Sequence, residues 1–343
     1  MKPSDYASSV GVVKALESRL IPAHKLRRLA DFTGEDDFMR GLSDTSYASR
    51  KFPPPTLDSE AGCLISSLFE KYLVDKPLRD VFTAEHGFAA ALAEIKLALA
   101  SDSESGPAAV SAHRAAVLRR ELSAANAGCS AAMPSADAIT SAVDRQKFFG
   151  LPEPLPEVCG LLTSGKSMPS AAAADFAAYA AFFSWALDKT SAFPAARHYF
   201  KIRVDAVNAA NYARCVLPQT GDETSPVKTD FFAGGFIDKD VFSEAVGALV
   251  DPTSLFSSSR FHEYRKSFSG AGAHTPVTAS KFIDDASTDY WVKMRLEPFG
   301  FHHVCGYAHA LKTEIKNLKI ISAGIRSHLP PADIKNRLRH SYF

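Results

Sequence analysis

The C-terminal segment 301–343 constrains the fold of this chain more than any other stretch of its sequence. Apolar residues recur there every three or four positions, at Tyr307, Leu311, Ile315, Leu318, Ile321 and Ile325. This spacing places them on one face of an α-helix. Gly324 is predicted to end or loosen that helix, and Pro330 stops it. Pro331 then starts a second short helix, whose buried pair is Ile334 and Leu338.

The same helical spacing returns along the rest of the chain, and no segment shows the sustained alternation of polar and apolar residues that is typical of a strand. Segment 150–169 contains four prolines and is predicted to be largely irregular. Polar linkers are predicted at 101–107 and 219–228. We therefore predict an all-α protein, with helices at 4–20, 60–75, 78–99, 108–122, 171–187, 198–216, 239–250, 260–268, 275–285 and 290–296.

Size and charge narrow the classes of function. The chain has 343 residues, enough for two or three domains, and its net charge of +1 gives no argument for binding nucleic acid or for nonspecific attraction to a membrane. Its 5 cysteines form no C-x-x-C pair, which argues against a disulfide framework or a zinc site and favours a reducing compartment. The apolar run 176–187 is shorter than the ~20 residues that cross a bilayer. We expect no transmembrane segment, and docking on another protein if the chain works at a membrane.

Two helical segments share an acidic residue followed three positions later by asparagine. They contain Asp205 with Asn208, and Glu314 with Asn317, and a basic residue follows each pair (Arg214 and Lys319). A fainter copy without the asparagine is placed near Glu85, so that the spacings are 109 and 120 residues, each close to a third of the chain. The asparagines either bind a ligand or, as is more common for polar residues in apolar helices, bond the backbone of a neighbouring segment.

One segment satisfies a nucleotide-binding pattern letter by letter. Gly160–Ser167 reads G-L-L-T-S-G-K-S, which matches G-x-x-x-x-G-K-[ST], with Lys166 and Ser167 in the phosphate-binding positions. A working phosphate loop follows a buried strand, but the preceding residues, LPEPLPEVC, are rich in proline. We therefore interpret the match as a coincidence in a loop.

Acidic and histidine clusters offer a second possible chemistry. Glu35-Asp36-Asp37 and the group Asp284, Asp285 and Asp289 resemble the two acidic clusters of a helical Mg²⁺-dependent enzyme. The first cluster follows Thr33-Gly34, which indicates the acidic first turn of a helix instead. His302 and His303 are neighbours and would point about 100° apart on a helix, which favours a packing role over metal ligation.

Several of these segments resemble one family. The run YAHALKTEIKNLKIISAGIRSHLPPADIKNRLRHSYF is similar to the C-terminal signature of the C subunits of V-type (archaeal/bacterial A/V-type) ATP synthases, which are related to the d subunit of V-ATPases. The first helix, YASSVGVVKALESRL, resembles the family's opening, and Thr45-x-Tyr47, the Asp205 segment and FFAGGF resemble internal patterns. The sequence departs from the family at Lys319, where the family has arginine, and at two arginines lost from the first helix.

The resemblance implies three similar helical-bundle domains arranged as a funnel or socket, with expected boundaries 1–105, 106–222 and 223–343. It implies a non-catalytic central-stalk (rotor) component that links the D and F axle subunits to the membrane proteolipid ring (the K/c subunits) and transmits torque for H⁺ or Na⁺ transport. The expected location is cytoplasmic, peripheral on the inner face of the membrane. No catalytic, cofactor-binding or metal-binding residues are expected. The alternative is a P-loop nucleotide-dependent or helical Mg²⁺-dependent enzyme.

Overall fold

The computed structural model describes residues 3–48, 57–101, 134–164, 170–216, 230–248, 250 and 276–343. These residues form α-helices and connecting segments and contain no β-strand, so the all-α prediction is confirmed. The helices predicted at 108–122 and 260–268 lie outside the described residues. The helices are α1 (Ala7–Glu17), α2 (Ala23–Leu29), α3 (Glu35–Gly41), α4 (Leu57–Tyr72), α5 (Lys76–Ser101), α6 (Ala136–Asp144), α7 (Leu155–Thr163), α8 (Ala171–Lys189), α9 (Pro194–Val216), α10 (Lys239–Gly247), α11 (Pro276–Met294), α12 (His302–Arg326) and α13 (Pro331–Arg337).

The helices group into two compact units. Unit 1 comprises Met1–Asp5 and Pro55–Phe193, and unit 2 comprises Tyr6–Pro54 and Pro194–Phe343. The first helices of the chain therefore belong with its C-terminal half, so no single sequence position separates the units. The three-way division at 1–105, 106–222 and 223–343 stays a prediction.

Unit 1 is built around α5, which packs against α4, α6, α7 and α8. Aromatic rings fill the contact with α8: the Phe88 ring lies 4.6 Å from the Phe182 ring and 5.2 Å from the Tyr179 ring. An ion pair between Lys96 and Asp175 (2.8 Å) joins the same two helices at the edge of this core. Burial of large aromatic side chains is the main stabilising contribution expected here.

Unit 2 is built around α12, which packs against α1, α2, α3, α11 and α13. A helix that contacts neighbours on all sides must be apolar on all sides, and α12 has buried residues along its whole length. The predicted stripe is confirmed, because its six residues are all buried. The predicted Pro turn and short last helix are also confirmed, with Ile334 and Leu338 buried.

Three local predictions were wrong. Gly324 neither ends nor loosens α12; its role is close packing, because a Cβ there would lie 2.7 Å from Ile334 Cγ1. The described part of segment 150–169, residues 150–164, is not largely irregular. Helix α7 forms within it and has Pro156 in its first turn, where proline's missing N–H costs no hydrogen bond. The helices predicted at 275–285 and 290–296 are one helix, α11, which runs to Met294.

Candidate functional site: two polar clamps in unit 2

The first acid–asparagine pair of the sequence fixes a loop to α9. Asn208 donates from Nδ2 to the carbonyl oxygen of Phe232 (2.8 Å) and accepts from the Phe232 N–H at Oδ1 (2.8 Å). One turn earlier, Asp205 accepts from the N–H groups of Phe236 (3.0 Å) and Ile237 (3.2 Å). Asp205 and Asn208 are at most 1% exposed. We call this arrangement the middle clamp.

In the middle clamp, the backbone at Gly235 lies unusually close to the side chain of Asp205. A Cβ atom at this position would lie 1.9 Å from Asp205 Oδ1. Real Cβ atoms do not approach an oxygen so closely, so only glycine allows the loop to reach the carboxylate. The Gly-Gly turn of FFAGGF therefore serves the clamp directly.

The second pair fixes the end of the chain to α12. Asn317 donates from Nδ2 to the carbonyl oxygen of Arg339 (3.1 Å) and accepts from the Arg339 N–H at Oδ1 (2.8 Å). Glu314 accepts a hydrogen bond from the Tyr47 hydroxyl (2.8 Å) and another from the Ile21 N–H. We call this arrangement the terminal clamp.

The two clamps have the same design. In each, the asparagine amide makes both hydrogen bonds with one residue 22 or 24 positions further along the chain, so the later segment is held alongside the helix. They differ at the acid. Asp205 binds the same loop as Asn208, whereas the partners of Glu314 come from the N-terminal segment, which thereby completes the C-terminal part of the fold.

The fainter third copy was predicted near Glu85, and α5 contains a second acid that is more deeply buried. In α5, Glu94 is 1% exposed, whereas Glu85 is only partly buried. Glu94 precedes Asp205 by 111 residues, close to the 109 residues between Asp205 and Glu314. Burial alone does not test the register of this copy, so its placement near Glu85 stays a prediction. Leu97 lies three residues after Glu94, and the side chain of Arg214, predicted as a basic partner, lies outside the described residues.

Burial changes the proton affinity of the terminal clamp. Burial raises the pKa of Glu314 from 4.5 to about 7, against the opposing hydrogen bonds from Ile21 and Tyr47. Burial, together with the nearby Glu314 carboxylate, raises the pKa of Tyr307 to about 12. The clamp therefore contains an acid whose charge changes near neutral pH.

The acidic group of α11 faces basic side chains. Asp284 accepts from Lys316 (2.5 Å) and from Arg339 Nε (2.9 Å), and Asp285 pairs with Lys281 (2.6 Å). Burial opposes the ionisation of Asp284, yet Lys316 and Arg339 hold its pKa below the usual value. These acids join α11 to α12 and to the segment after α13.

The last acid of α11 forms the clearest pH-sensitive contact of this group. His340 Nδ1 lies 2.9 Å from Asp289 Oδ1, and the His340 N–H donates to Asp285 Oδ1. The hydrogen bond with Asp289 raises the pKa of His340 above its usual value, against the effect of burial. Protonated His340 thus helps to hold the segment after α13 on α11.

The acidic run Glu35–Asp37 forms the first turn of α3. The sequence predicted that this cluster starts a helix. Asp37 pairs with Arg40 in the same helix, and Glu35 pairs with Arg326 (3.0 Å). Among the described residues, no group of three or more His, Cys, Asp or Glu side chains is arranged to hold a metal ion.

The segment that matches the phosphate-loop pattern is partly helical. Gly160–Thr163 form the end of α7, and residues 165–169 lie outside the described residues. A phosphate loop needs these first positions in a turn that follows a strand, whereas here they continue a helix. The geometry of Gly160–Thr163 therefore supports a coincidental match.

The two neighbouring histidines are packing residues at the start of α12. His302 is 6% exposed and His303 is 2% exposed, and His303 Nε2 lies 2.8 Å from the carbonyl oxygen of Glu297. Burial lowers the pKa of His302 to about 4. Gly300 makes room for this ring, since a Cβ there would lie 2.5 Å from His302 Cε1.

The clamp asparagines yield a direct stability prediction. Replacing Asn317 by leucine is expected to destabilise unit 2 by about 2 kcal/mol, because the N–H and C=O of Arg339 lose their partners in a buried setting. Asn208→Leu is expected to have a similar effect through Phe232. Urea unfolding measures both. The matched control is Asn336→Leu, at an exposed site in α13, where a change below about 0.5 kcal/mol is expected. Equal effects at all three sites would contradict the clamp interpretation.

The sequence profile of the ATP synthase (C/AC39) subunit family matches residues 161–337. This range includes Asp205, Asn208, Glu314 and Asn317, so it contains the helical part of both clamps. No curated protein matches the chain. None of the described helices is both long and apolar enough to cross a membrane.

Proposed function

The chain belongs to the ATP synthase (C/AC39) subunit family, and on this premise we propose that it is the non-catalytic central-stalk (rotor) component of a V/A-type rotary ATPase. In this role it links the D and F axle subunits to the membrane proteolipid ring. It carries torque between them and so couples ATP turnover to H⁺ or Na⁺ transport. The match over residues 161–337 is the observation that carries the proposal.

The clamps support a mechanical role. A part that transmits torque must resist shear between its helices, and packed helices alone can slide by small amounts. A buried amide that makes two hydrogen bonds with one backbone position fixes a segment in register, because sliding by one residue would leave buried polar groups unpaired. Asn208 and Asn317 both do this. Unit 2 is thus built to move as one body.

Exposed apolar side chains supply candidate docking points. In unit 2, Leu296 is 86% exposed and Phe299 is 46% exposed, both in the segment between α11 and α12. In unit 1, Phe149 is 87% exposed. Large apolar side chains that point into water are frequent at protein–protein contacts. We propose that these positions bind the ring or the axle, with the chain peripheral on the cytoplasmic face of the membrane.

Affinity purification tests the assignment. The tagged chain, expressed in its own cells, is purified from detergent-solubilised membranes, and the co-purifying proteins are identified by mass spectrometry. The D and F axle subunits and the proteolipid are the expected partners. Recovery of neither an axle protein nor the proteolipid would overturn the proposal.

Point variants then show which surface docks which partner. Leu296→Asp and Phe149→Asp are each expected to lose one class of partner while the melting temperature stays unchanged. The matched control is Val74→Asp, which introduces the same charge at a position that is 42% exposed and is expected to keep all partners. Loss of every partner in the control as well would show that the effect is not local.

A further inference from the structure

The segment that joins α11 to α12 is exposed to water and is also fixed to the protein. We call residues 296–299 the docking segment, because Leu296 and Phe299 are 86% and 46% exposed. The carbonyl oxygen of Glu297, between them, accepts a hydrogen bond from His303 Nε2 in α12 (2.8 Å). One side of the docking segment is thereby attached to the helix that follows it.

Arg295, the residue before the docking segment, is attached to the end of the chain. Its guanidinium carbon lies 4.1 Å from the centre of the Phe343 ring and 5.5 Å from the centre of the Tyr342 ring. Its Nη1 also donates to the carbonyl oxygen of Tyr342 (3.2 Å). A guanidinium that stacks on aromatic rings and donates to the backbone is held in one orientation. The position of residues 342–343 therefore determines the position of Arg295, and with it the start of the docking segment.

The same end of the chain is attached to α11 through His340. Its Nδ1 lies 2.9 Å from Asp289 Oδ1, and its Nε2 lies 3.5 Å from Asp285 Oδ2. A neutral imidazole has only one N–H, so one of its nitrogens would present a lone pair to a carboxylate. The protonated ring presents an N–H to both carboxylates. The arrangement therefore favours the charged form of His340.

The other charged side chains around this imidazole form pairs of their own. Asp284 of α11 lies between Lys316 of α12 and Arg339, and Asp285 pairs with Lys281 one turn earlier in α11. Lysine, arginine and aspartate ordinarily keep their charges between pH 5 and pH 8, whereas histidine does not. Within this group of side chains, the imidazole is therefore the one that can respond to pH.

We propose that the protonation of His340 controls whether the docking segment is held ready for its partner, an inference that rests on the docking role proposed above for Leu296 and Phe299. When His340 is charged, residues 340–343 stay beside α11 and Arg295 keeps its aromatic contacts. When the imidazole loses its proton, these residues loosen beyond the terminal clamp. The docking segment then loses the support of Arg295.

The direction of the pH effect follows from the carboxylates that face the ring. The hydrogen bond with Asp289 raises the pKa of His340 above its ordinary value of 6.5, against the effect of burial. The attachment is therefore fully present below pH 6.5 and is lost as the pH rises through the folded-state pKa. Binding of the ring or the axle through the docking segment is expected to weaken as the pH rises above 6.5.

Hydrogen exchange followed by mass spectrometry tests this regulation in the absence of a partner. Peptides that contain residues 295–301 and 338–343 are compared between the parent and His340→Arg at pH 6 and at pH 8. The comparison at one pH cancels the intrinsic pH dependence of exchange, and arginine keeps a positive charge at both pH values. The parent is expected to match the variant at pH 6 and to exchange about threefold faster at pH 8 in both peptides. A ratio that does not change with pH would overturn the proposal.

Two further variants separate regulation from a simple loss of packing. His340→Gln is neutral at both pH values, so it is expected to show at pH 6 the fast exchange that the parent shows at pH 8. Arg295→Met removes the link, so residues 295–301 are expected to exchange faster at both pH values while residues 338–343 keep their pH dependence. The control is His328→Asn, at an exposed histidine whose positive φ asparagine tolerates, and both ratios are expected to stay unchanged. Persistent pH dependence of residues 295–301 in Arg295→Met would contradict the link.

Recovery of partners separates this inference from the assignment on which it rests. The tagged parent and His340→Arg are purified from detergent-solubilised membranes at pH 6 and at pH 8. The parent is expected to retain about threefold less of its partners at pH 8, and the variant is expected to retain equal amounts at both. Recovery of axle and ring subunits that is independent of pH would overturn the regulation and leave the assignment intact. The expected exchange result without any axle or ring partner would support the pH-dependent attachment and overturn the rotor assignment.

Discussion

Gly235→Ala is expected to destabilise unit 2 by about 4 kcal/mol, the sum of overpacking and of hydrogen bonds lost by a buried carboxylate. The new Cβ would lie 1.9 Å from Asp205 Oδ1, so either the loop or the carboxylate must move. Either movement separates Asp205 from the N–H groups of Phe236 and Ile237. The Asp205 carboxylate, 1% exposed, then loses these two donors in a buried setting, which costs free energy.

Fluorescence can assign this effect to unit 2. The chain has 2 tryptophans, Trp185 in unit 1 and Trp291 in unit 2. In a Trp185→Phe background, the buried Trp291 alone reports the unfolding of unit 2 in urea. The matched control is Gly11→Ala in α1, where a Cβ meets nothing within 4 Å and where alanine is expected to stabilise by up to about 1 kcal/mol. A Gly235→Ala variant as stable as the parent would show that the middle clamp is not close-packed.

Glu314→Gln is expected to remove about 3 kcal/mol of pH dependence from the stability of unit 2. Glu314 has a folded-state pKa of about 7 against an ordinary value of 4.5. Between these values the unfolded chain has released the proton and the folded chain still holds it, so stability falls as pH rises from 4.5 to 7. Glutamine resembles the protonated acid: its oxygen accepts from Ile21 N–H and its amide donates to the Tyr47 oxygen.

The measurement is urea unfolding of the parent and the variant at pH 4 to pH 8, followed by Trp291 fluorescence. The quantity of interest is the difference between the two chains, because it cancels other titrating groups. His340 is one of these: its raised pKa gives stability that is present below its ordinary pKa and is lost as pH rises through its folded-state pKa. The free energy of unfolding of the variant is expected to increase relative to that of the parent as the pH rises. A constant difference would contradict the buried-acid interpretation of the terminal clamp.

Much of the clamp chemistry is visible in the sequence. The spacing of Asp205 with Asn208 and of Glu314 with Asn317 marks polar residues inside apolar helices, and backbone bonding is the expected use for them. The sequence carries no signal for the other half of each clamp. Thr45-x-Tyr47 resembles a family pattern, but nothing in it points to a bond between Tyr47 and Glu314.

The glycines also separate what the sequence reveals from what only the structure shows. Gly324 and Gly235 are both visible as breaks in the pattern, yet one lies within a helix under Ile334 and the other lies against a carboxylate. A glycine in a sequence indicates either that a neighbouring group packs closely against the backbone or that the backbone needs an unusual conformation. It does not indicate which of the two applies. Only the neighbouring element decides, and at Gly324 that neighbour is a different helix.

By itself, the sequence determined the helical character of the chain, the stripe of α12, the Pro turn and the family. These depend on local backbone preference and on the 3.6-residue period, which a short window of residues contains. The tertiary structure alone decided that the N-terminal segment completes the C-terminal part of unit 2, through the contact of Ile21 with Glu314 across 293 residues of chain. The physical reason is that a buried acid accepts from whichever donor the packing brings to it, and packing between distant segments leaves no periodic trace in either one.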